Sequence, residues 1–228
     1  MRLTTYLLTL ALTAALVAAS GAQTDDQNEA KRVAEATTVF TEIMAAADRA
    51  IPGAILGKAE GVAVFPSTIK AGLVVGGQRG RGILSVRGES GTWSAPAFLT
   101  LTGGSIGLQI GAESADLILV ITNRRGLENL VRNQFKVGAD AGVAAGPVGR
   151  EAQAATDIQM RAQILSYSRA RGLFAGVTIN GSTIRQDKDA NQRFYGKPYE
   201  SKQIVFERLG GAPEPVAAWR AILVKYAN

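Results

Sequence analysis

The chain has 228 residues, 25 Lys and Arg against 19 Asp and Glu for a formal charge of +6, and neither histidine nor cysteine. Those two absences exclude disulfides, thiol nucleophiles, ordinary zinc sites and histidine general-base chemistry. Scattered positive charge, 6% aromatic content and the lack of a reading motif exclude nucleic acid as the expected partner.

Residues 1–22 read as an export signal: Arg2 gives a basic start, Tyr6 to Ala19 an apolar run, and Ser20-Gly21-Ala22 the small residues of a cleavage site. Cleavage is expected before Gln23, with an uncleaved anchor as the alternative. The expected protein is exported, periplasmic or extracellular, and it has no cysteine for a lipid anchor, so membrane attachment would be peripheral. Residues 23–228 are read as a single domain.

Asn28 to Ala50 is an amphipathic pattern, with Val33, Ala36, Phe40, Ile43, Met44 and Ala47 on one stripe and Asp25, Asp26 and Glu29 near its start. Ile51-Pro52-Gly53 ends it, and Ala54 to Ala59 can form a short second helix. From Gly61 the pattern changes to short apolar runs: GVAVFP, AGLVVGG, RGILSVR, APAFLTL, SIGLQIG and DLILVIT read as strands, with GQRGRG, GESGTW and TGGS as turns. The spacing leaves no room for crossover helices. Arg125 to Asn133 reads as a short helix, GVAAGPVG, DIQMRAQILSYSR and LFAGVTING as a second strand group, and Asp189 to Tyr195 as a helical turn. Pro213 and Pro215 precede a closing helix over 215–227 with Val216, Trp219, Ile222, Leu223 and Tyr226 on one stripe. The expected fold is α+β: an antiparallel β-meander or roll over 61–196, flanked by an N-terminal amphipathic helix and a C-terminal helix.

Signals for chemistry are thin, and neither a catalytic residue nor a cofactor is expected. Ser67 and Lys70 are spaced as S-x-x-K, but the companion elements S-D-N and K-T-G are missing. Asp187, Asp189 and Asn191 resemble the opening of a calcium loop, yet the sixth position is Gln192 and the twelfth Pro198, so a turn that begins a helix is the better reading. Gly72 to Gly77 has Walker spacing but continues with Gln78 and Arg79, and the G-x-x-G-x-G that follows opens strand-like residues. The segment KAGLVVGGQRGRGIL is therefore read as a hairpin, with Gly76, Gly77, Gly80 and Gly82 making the turn and Arg79 and Arg81 at its tip.

Several ordered motifs resemble the SYLF-domain family. They are GVAVFP at Gly61 to Pro66, AGLVVGGQRGRGILSVR, GTWSAPAFL at Gly91 to Leu99, SIGLQIGAESADLILVITN at Ser105 to Asn123, GADAGVAAGPVGR at Gly138 to Arg150, ILSYSRARGLFAGVTING at Ile164 to Gly181 and DANQRFYG at Asp189 to Gly196. The likeness covers roughly Arg49 to Gly196. It implies a non-enzymatic lipid-binding module of phosphoinositide or anionic-phospholipid type, and some relatives of this kind also bind actin filaments. Actin is not expected in the compartment that an export signal implies.

The expected contacts with anionic lipid are Lys31, Arg32 and Arg49 beside the helix stripe and Arg79 and Arg81 at the hairpin tip, extended by Lys58, Lys70 and Arg87 if they share a face. Two readings of the helix stay open: its stripe packs on the sheet, or it meets lipid. The alternative function is a structural or interaction protein of the cell envelope with a protein or polysaccharide partner.

Overall fold

The computed structural model describes residues 28–46, 50–72, 75–106, 111–132, 134–140, 142–149, 161–170, 173–208 and 213–227. The export segment 1–22 and Arg49 lie outside them. Helix α1 (28–45) is followed by α2 (Gly53–Leu56) and four long strands: β1 (Gly61–Gly72), β2 (Val75–Val86), β3 (Ala97–Ile106) and β4 (Gly111–Ile121). Then come α3 (Arg124–Leu130), β5 (Gln134–Lys136), β6 (Val143–Ala145), β7 (Ile164–Ala170), β8 (Leu173–Gly176) and β9 (Ser182–Gln186). Helices α4 (Lys188–Tyr195), α5 (Ser201–Val205) and α6 (Val216–Ala227) complete the order.

The expected α+β class holds. The strands form one nine-stranded sheet in the order β5-β9-β3-β2-β1-β4-β7-β6, with β8 also paired to β7. Every pairing is antiparallel except β6 with β7. The meander runs through β1, β2 and β3, after which β4 returns to the far side of β1, a Greek-key order.

Both faces of the sheet are buried over its lower half, which is why GVAVF and DLILVI are continuous apolar runs instead of alternating ones. On one face Val62, Val64, Ile83, Phe98, Ile118 and Tyr167 pack under α1 (Val33, Ala36, Phe40, Ile43) and α6 (Trp219, Leu223). On the other, Ala63, Phe65, Leu84, Leu99, Leu119 and Ile184 pack under α3 and α5 through Leu127, Leu130, Ile204 and Val205. The α1 stripe thus packs on the sheet. Helix α1 itself stops at residue 45, short of Ala50, with Ala46 N still bonded to Ile43 O at 3.3 Å. Trp219 joins the layers, donating from Nε1 to Ser85 Oγ at 2.8 Å and meeting Phe40 edge-on at 5.8 Å. Burial raises the pKa of the Tyr167 and Tyr195 phenols, and Tyr195 donates to Pro96 O at 2.6 Å.

The six short strands expected between Gly61 and Thr122 are four long ones, and the expected turn at GQRGRG is the interior of β2. Gln78 pairs with Lys70 and Gly103, Arg79 with Ile69 and Thr102, and Arg81 with Thr100. Gly77, Gly80 and Gly82 have no positive φ. Their smallness serves close approach instead: a Cβ on Gly80 would sit 2.6 Å from Thr68 Oγ1, and one on Gly82 would sit 2.5 Å from both Val64 O and the Phe65 ring. TGGS at 102–105 likewise lies inside β3. A bulge interrupts β1 between Phe65 and Thr68, with Ser67 at φ 48 and its N–H donating to Asp116 Oδ1 at 3.0 Å.

Gly82→Ala is therefore expected to destabilise the fold by about 1–3 kcal/mol through overpacking against a backbone oxygen. Thermal unfolding of the variant checks it: a melting temperature at or above the parent's would mean that β1 and β2 are not this close.

Candidate functional site

The residues expected to form one patch are dispersed. Lys31 is exposed on α1 and sits 3.7 Å from Glu35. Arg32 is only 6% exposed. It pairs with Glu29 at 2.8 Å and Asp187 at 3.1 Å, and lies 5.2 Å from the centre of the Phe98 ring. Glu29 in turn accepts from Arg193 at 2.7 Å. Arg32 is thus a fastener between α1 and α4, with no surface to offer a headgroup. Asp187 is the N-cap of α4, accepting from Ala190 N at 3.2 Å, and Asn191 accepts from Phe98 N at 2.8 Å, so the calcium-like triad is spent on starting a helix and holding it to β3. Ser67 sits at the bulge, and Lys70 pairs in register with Gln78 and Glu113.

Lys58 and Arg87 lie at the opposite end of the sheet, beside an open groove of 1010 Å³ that Arg124, Phe206 and Arg208 also line. Arg87 donates to Gly57 O and Leu56 O, both at 2.9 Å, and covers Trp93. Burial lowers its pKa, against an opposing pull from Glu60. Arg208 donates to Thr92 Oγ1 and O at 2.7 and 2.9 Å, while Arg124 lies 4.1 Å over Phe206 and pairs with Glu128. These guanidinium groups hold turns and helix ends together.

What remains is a face. Side chains alternate along β2, so Arg79 and Arg81 project on the side of Ile83, the side α1 covers lower down. The register adds two cations that the sequence reading missed. Arg81 pairs with Thr100 and Thr100 with Arg185; Arg79 pairs with Thr102, Thr102 with Thr183 and Thr183 with Lys136. Arg79, Arg81, Arg185 and Lys136 therefore share one exposed face, in two rows about 7 Å apart along the strands, with threonines between the cation columns. Arg185 donates to Gln134 at 3.1 Å, and Lys136 N donates to Asp140 at 2.6 Å. Among the described residues no carboxylate pairs with the side chains of Arg79, Arg81 or Lys136. Lys70 stands in register with Gln78 and points to the other face.

Along the same face toward β7 the charge is neutralised. Arg169 donates to Asp116 Oδ2 through Nε at 2.9 Å and Nη2 at 2.8 Å, and to Glu42 of α1 through Nη1. Burial alone would lower the Arg169 pKa, and its bonds to Glu42 and Asp116 outweigh that and raise it. The net arrangement is a cation-bearing β-surface on one side of α1, with hydroxyl donors between the arginines and an open groove of 410 Å³ beside Thr100 and Arg185. Such a surface can bind anionic groups arrayed in a plane. Among the described residues no helix is long and apolar enough to cross a membrane, and no cluster of acidic side chains could hold a metal ion.

Comparison with known proteins shows what the chain is similar to. The Ysc84 family model, described as "Las17-binding protein actin regulator", matches residues 102–226. The SH3 domain-containing YSC84-like protein 1 of rat (Rattus norvegicus) is 35% identical over 182 residues, 78% of this chain and 52% of that protein. Two yeast proteins (Saccharomyces cerevisiae) are 34% identical over 170 residues, 73% of this chain: Protein YSC84, of which 36% is covered, and LAS seventeen-binding protein 3, of which 37% is covered. The chain thus spans about half the length of the mammalian relative and just over a third of the yeast ones. None of these names denotes an enzyme. The ordered motifs, the sheet they build and these matches agree, and the chain belongs to the Ysc84 family, whose shared unit is the SYLF domain.

Proposed function

We propose that the chain is a non-enzymatic docking module that meets anionic phospholipid surfaces with the face bearing Arg79, Arg81, Arg185 and Lys136. One observation carries the reading: four exposed cations share one face of the sheet and, among the described residues, none of them makes a salt bridge, while Arg32 and Arg87 are tied into the fold. Anionic headgroups in a bilayer present charge in a plane, which suits a sheet better than a cleft. Export through residues 1–22 belongs to the same proposal and would place the module on a membrane outside the cytoplasm.

A second reading is favoured by the family description, "Las17-binding protein actin regulator", and by the name of one yeast relative, LAS seventeen-binding protein 3. In that reading the same cations meet an acidic protein surface. Co-sedimentation separates the two. The docking reading expects the full chain to pellet with phosphatidylserine-containing vesicles, to stay in solution with pure phosphatidylcholine, and to release as salt rises. Pelleting with actin filaments and with neither kind of vesicle would overturn it in favour of the second.

A further inference from the structure

We propose that the groove between α3 and α5 is the docking site for an extended acidic segment of a protein partner, with Arg124 as its carboxylate-binding residue. The inference stands apart from the docking reading above, because α3 and α5 cover the face of the sheet opposite to α1 and Arg79. A bilayer held against the Arg79 face leaves this groove on the far side.

The groove is open, has a volume of 810 Å³, and is lined by Arg124, Val131, Arg132, Lys202 and Phe206 among others. Arg124 and Phe206 also line the 1010 Å³ groove beside Arg87, so the two run into each other at this pair. Three arginines line the larger groove, and the fold uses them differently. Arg87 spends Nη1 and Nη2 on the carbonyls of Gly57 and Leu56, and Arg208 spends both on Thr92. Arg124 does not. Its guanidinium lies 4.1 Å from the centre of the Phe206 ring and its Nε donates to Glu128 Oε1 at 3.0 Å, while among the described residues Nη1 and Nη2 make no hydrogen bond.

A guanidinium fixed by an aromatic ring and one carboxylate, with its terminal fork unspent, is pre-organised to take a second carboxylate through two parallel bonds. The acidic side chains of the lining do not fill that fork: Glu128 holds only Nε, and Glu200 is engaged by Lys188 at 2.8 Å. Farther along the same groove Arg132 and Lys202 are exposed and make no salt bridge among the described residues. The lining is apolar at Val131, Val205 and Phe206. Cations spaced along an open groove with apolar patches between them match a strand in which acidic and aliphatic side chains alternate. A single small anion would use the fork but neither the length nor the apolar lining.

The test is fluorescence anisotropy of the full chain with a fluorescein-labelled peptide of alternating glutamate and leucine, beside the same peptide with glutamine in place of glutamate. The acidic peptide is expected to bind, to weaken as salt rises, and to bind about tenfold or more tightly than the glutamine peptide. Arg132→Glu with Lys202→Glu is expected to weaken it by about tenfold or more without lowering the melting temperature. Arg124→Lys keeps the charge but removes the fork, and is expected to cost about fivefold or more. Lys31→Glu with Lys225→Glu makes the same change in net charge as the groove reversal, on exposed residues of α1 and α6 over the opposite face, and is expected to leave peptide binding near the parent's. Equal weakening by the two double reversals would reduce the binding to total charge and overturn the site. So would a parent chain that ignores the acidic peptide, or one that binds polygalacturonate in its place, which would give the groove to an acidic glycan. Vesicle sedimentation of the parent decides the docking reading separately, and its failure would leave this inference standing.

Discussion

Arg32→Ala is expected to lower stability by about 3–5 kcal/mol, the range for removing one partner of a buried charge pair. The guanidinium bridges Glu29, which is 1% exposed, and Asp187 of the α4 cap. Its loss leaves Glu29 with Arg193 alone and strips the cation from the Phe98 ring. For a domain of this size the melting temperature should fall by about 10 °C, at roughly 2–4 °C per kcal/mol. Arg32→Ala with Glu29→Ala should cost less than the two single changes added together, because the double change leaves no orphaned carboxylate at residue 29. Vesicle affinity of the folded fraction should not change. A variant with parental stability and weakened vesicle binding would reverse the roles assigned here, making Arg32 a ligand-facing residue.

Arg32 also shows why the site was only partly legible. In the sequence it directly follows Lys31 and lies beside an apolar stripe, which is how a membrane-facing arginine would look. What buries it is Asp187, 155 positions away, and no local pattern announces that contact. The α1 stripe itself was readable, since its spacing of three and four depends only on helix geometry, and Val33, Ala36, Phe40 and Ile43 are all buried. The closing helix was readable for the same reason, with Val216, Trp219 and Leu223 inward.

Glycine was the main source of error. In GQRGRG it was read as turn chemistry, whereas Gly80 and Gly82 are needed because Thr68 and Phe65 lie against their Cα atoms. Local sequence does not distinguish a glycine chosen for its φ from one chosen for its missing side chain. The strands that complete the cationic face were missed outright. β5 is QFK and β9 is STIRQ, three and five residues with no apolar run, and they become strands only because β3 offers an edge to pair with. The alternation of Ile184 with Thr183 and Arg185 was the one available signal. Arg79 and Arg81 share one face of β2, as a spacing of two in a strand requires. Their placement at a tip was wrong, and their companions Arg185 and Lys136 could be found only from the register.

That register makes the functional prediction specific to one face. Arg79→Glu with Arg81→Glu reverses two exposed charges in β2 that make no ion pair among the described residues, so the fold should tolerate the change within about 0.5 kcal/mol. Each cation near an anionic surface contributes about 1 kcal/mol, and reversal replaces attraction with repulsion, so the pair should lose about 4 kcal/mol, on the order of a thousandfold in vesicle affinity at low salt. The loss should shrink as ionic strength rises and the Debye length falls below the spacing of the rows. Lys58→Glu alters net charge as much as Arg79→Glu alone does, but it acts at the opposite end of the sheet beside α2. If only total charge mattered, the two single reversals would weaken binding equally. The face-specific contact instead requires Arg79→Glu to weaken it by about tenfold or more while Lys58→Glu stays near the parent. Equal effects in vesicle sedimentation would remove the sheet face as the contact, and loss of actin-filament binding in the double reversal with vesicle binding intact would assign the same face to a protein partner.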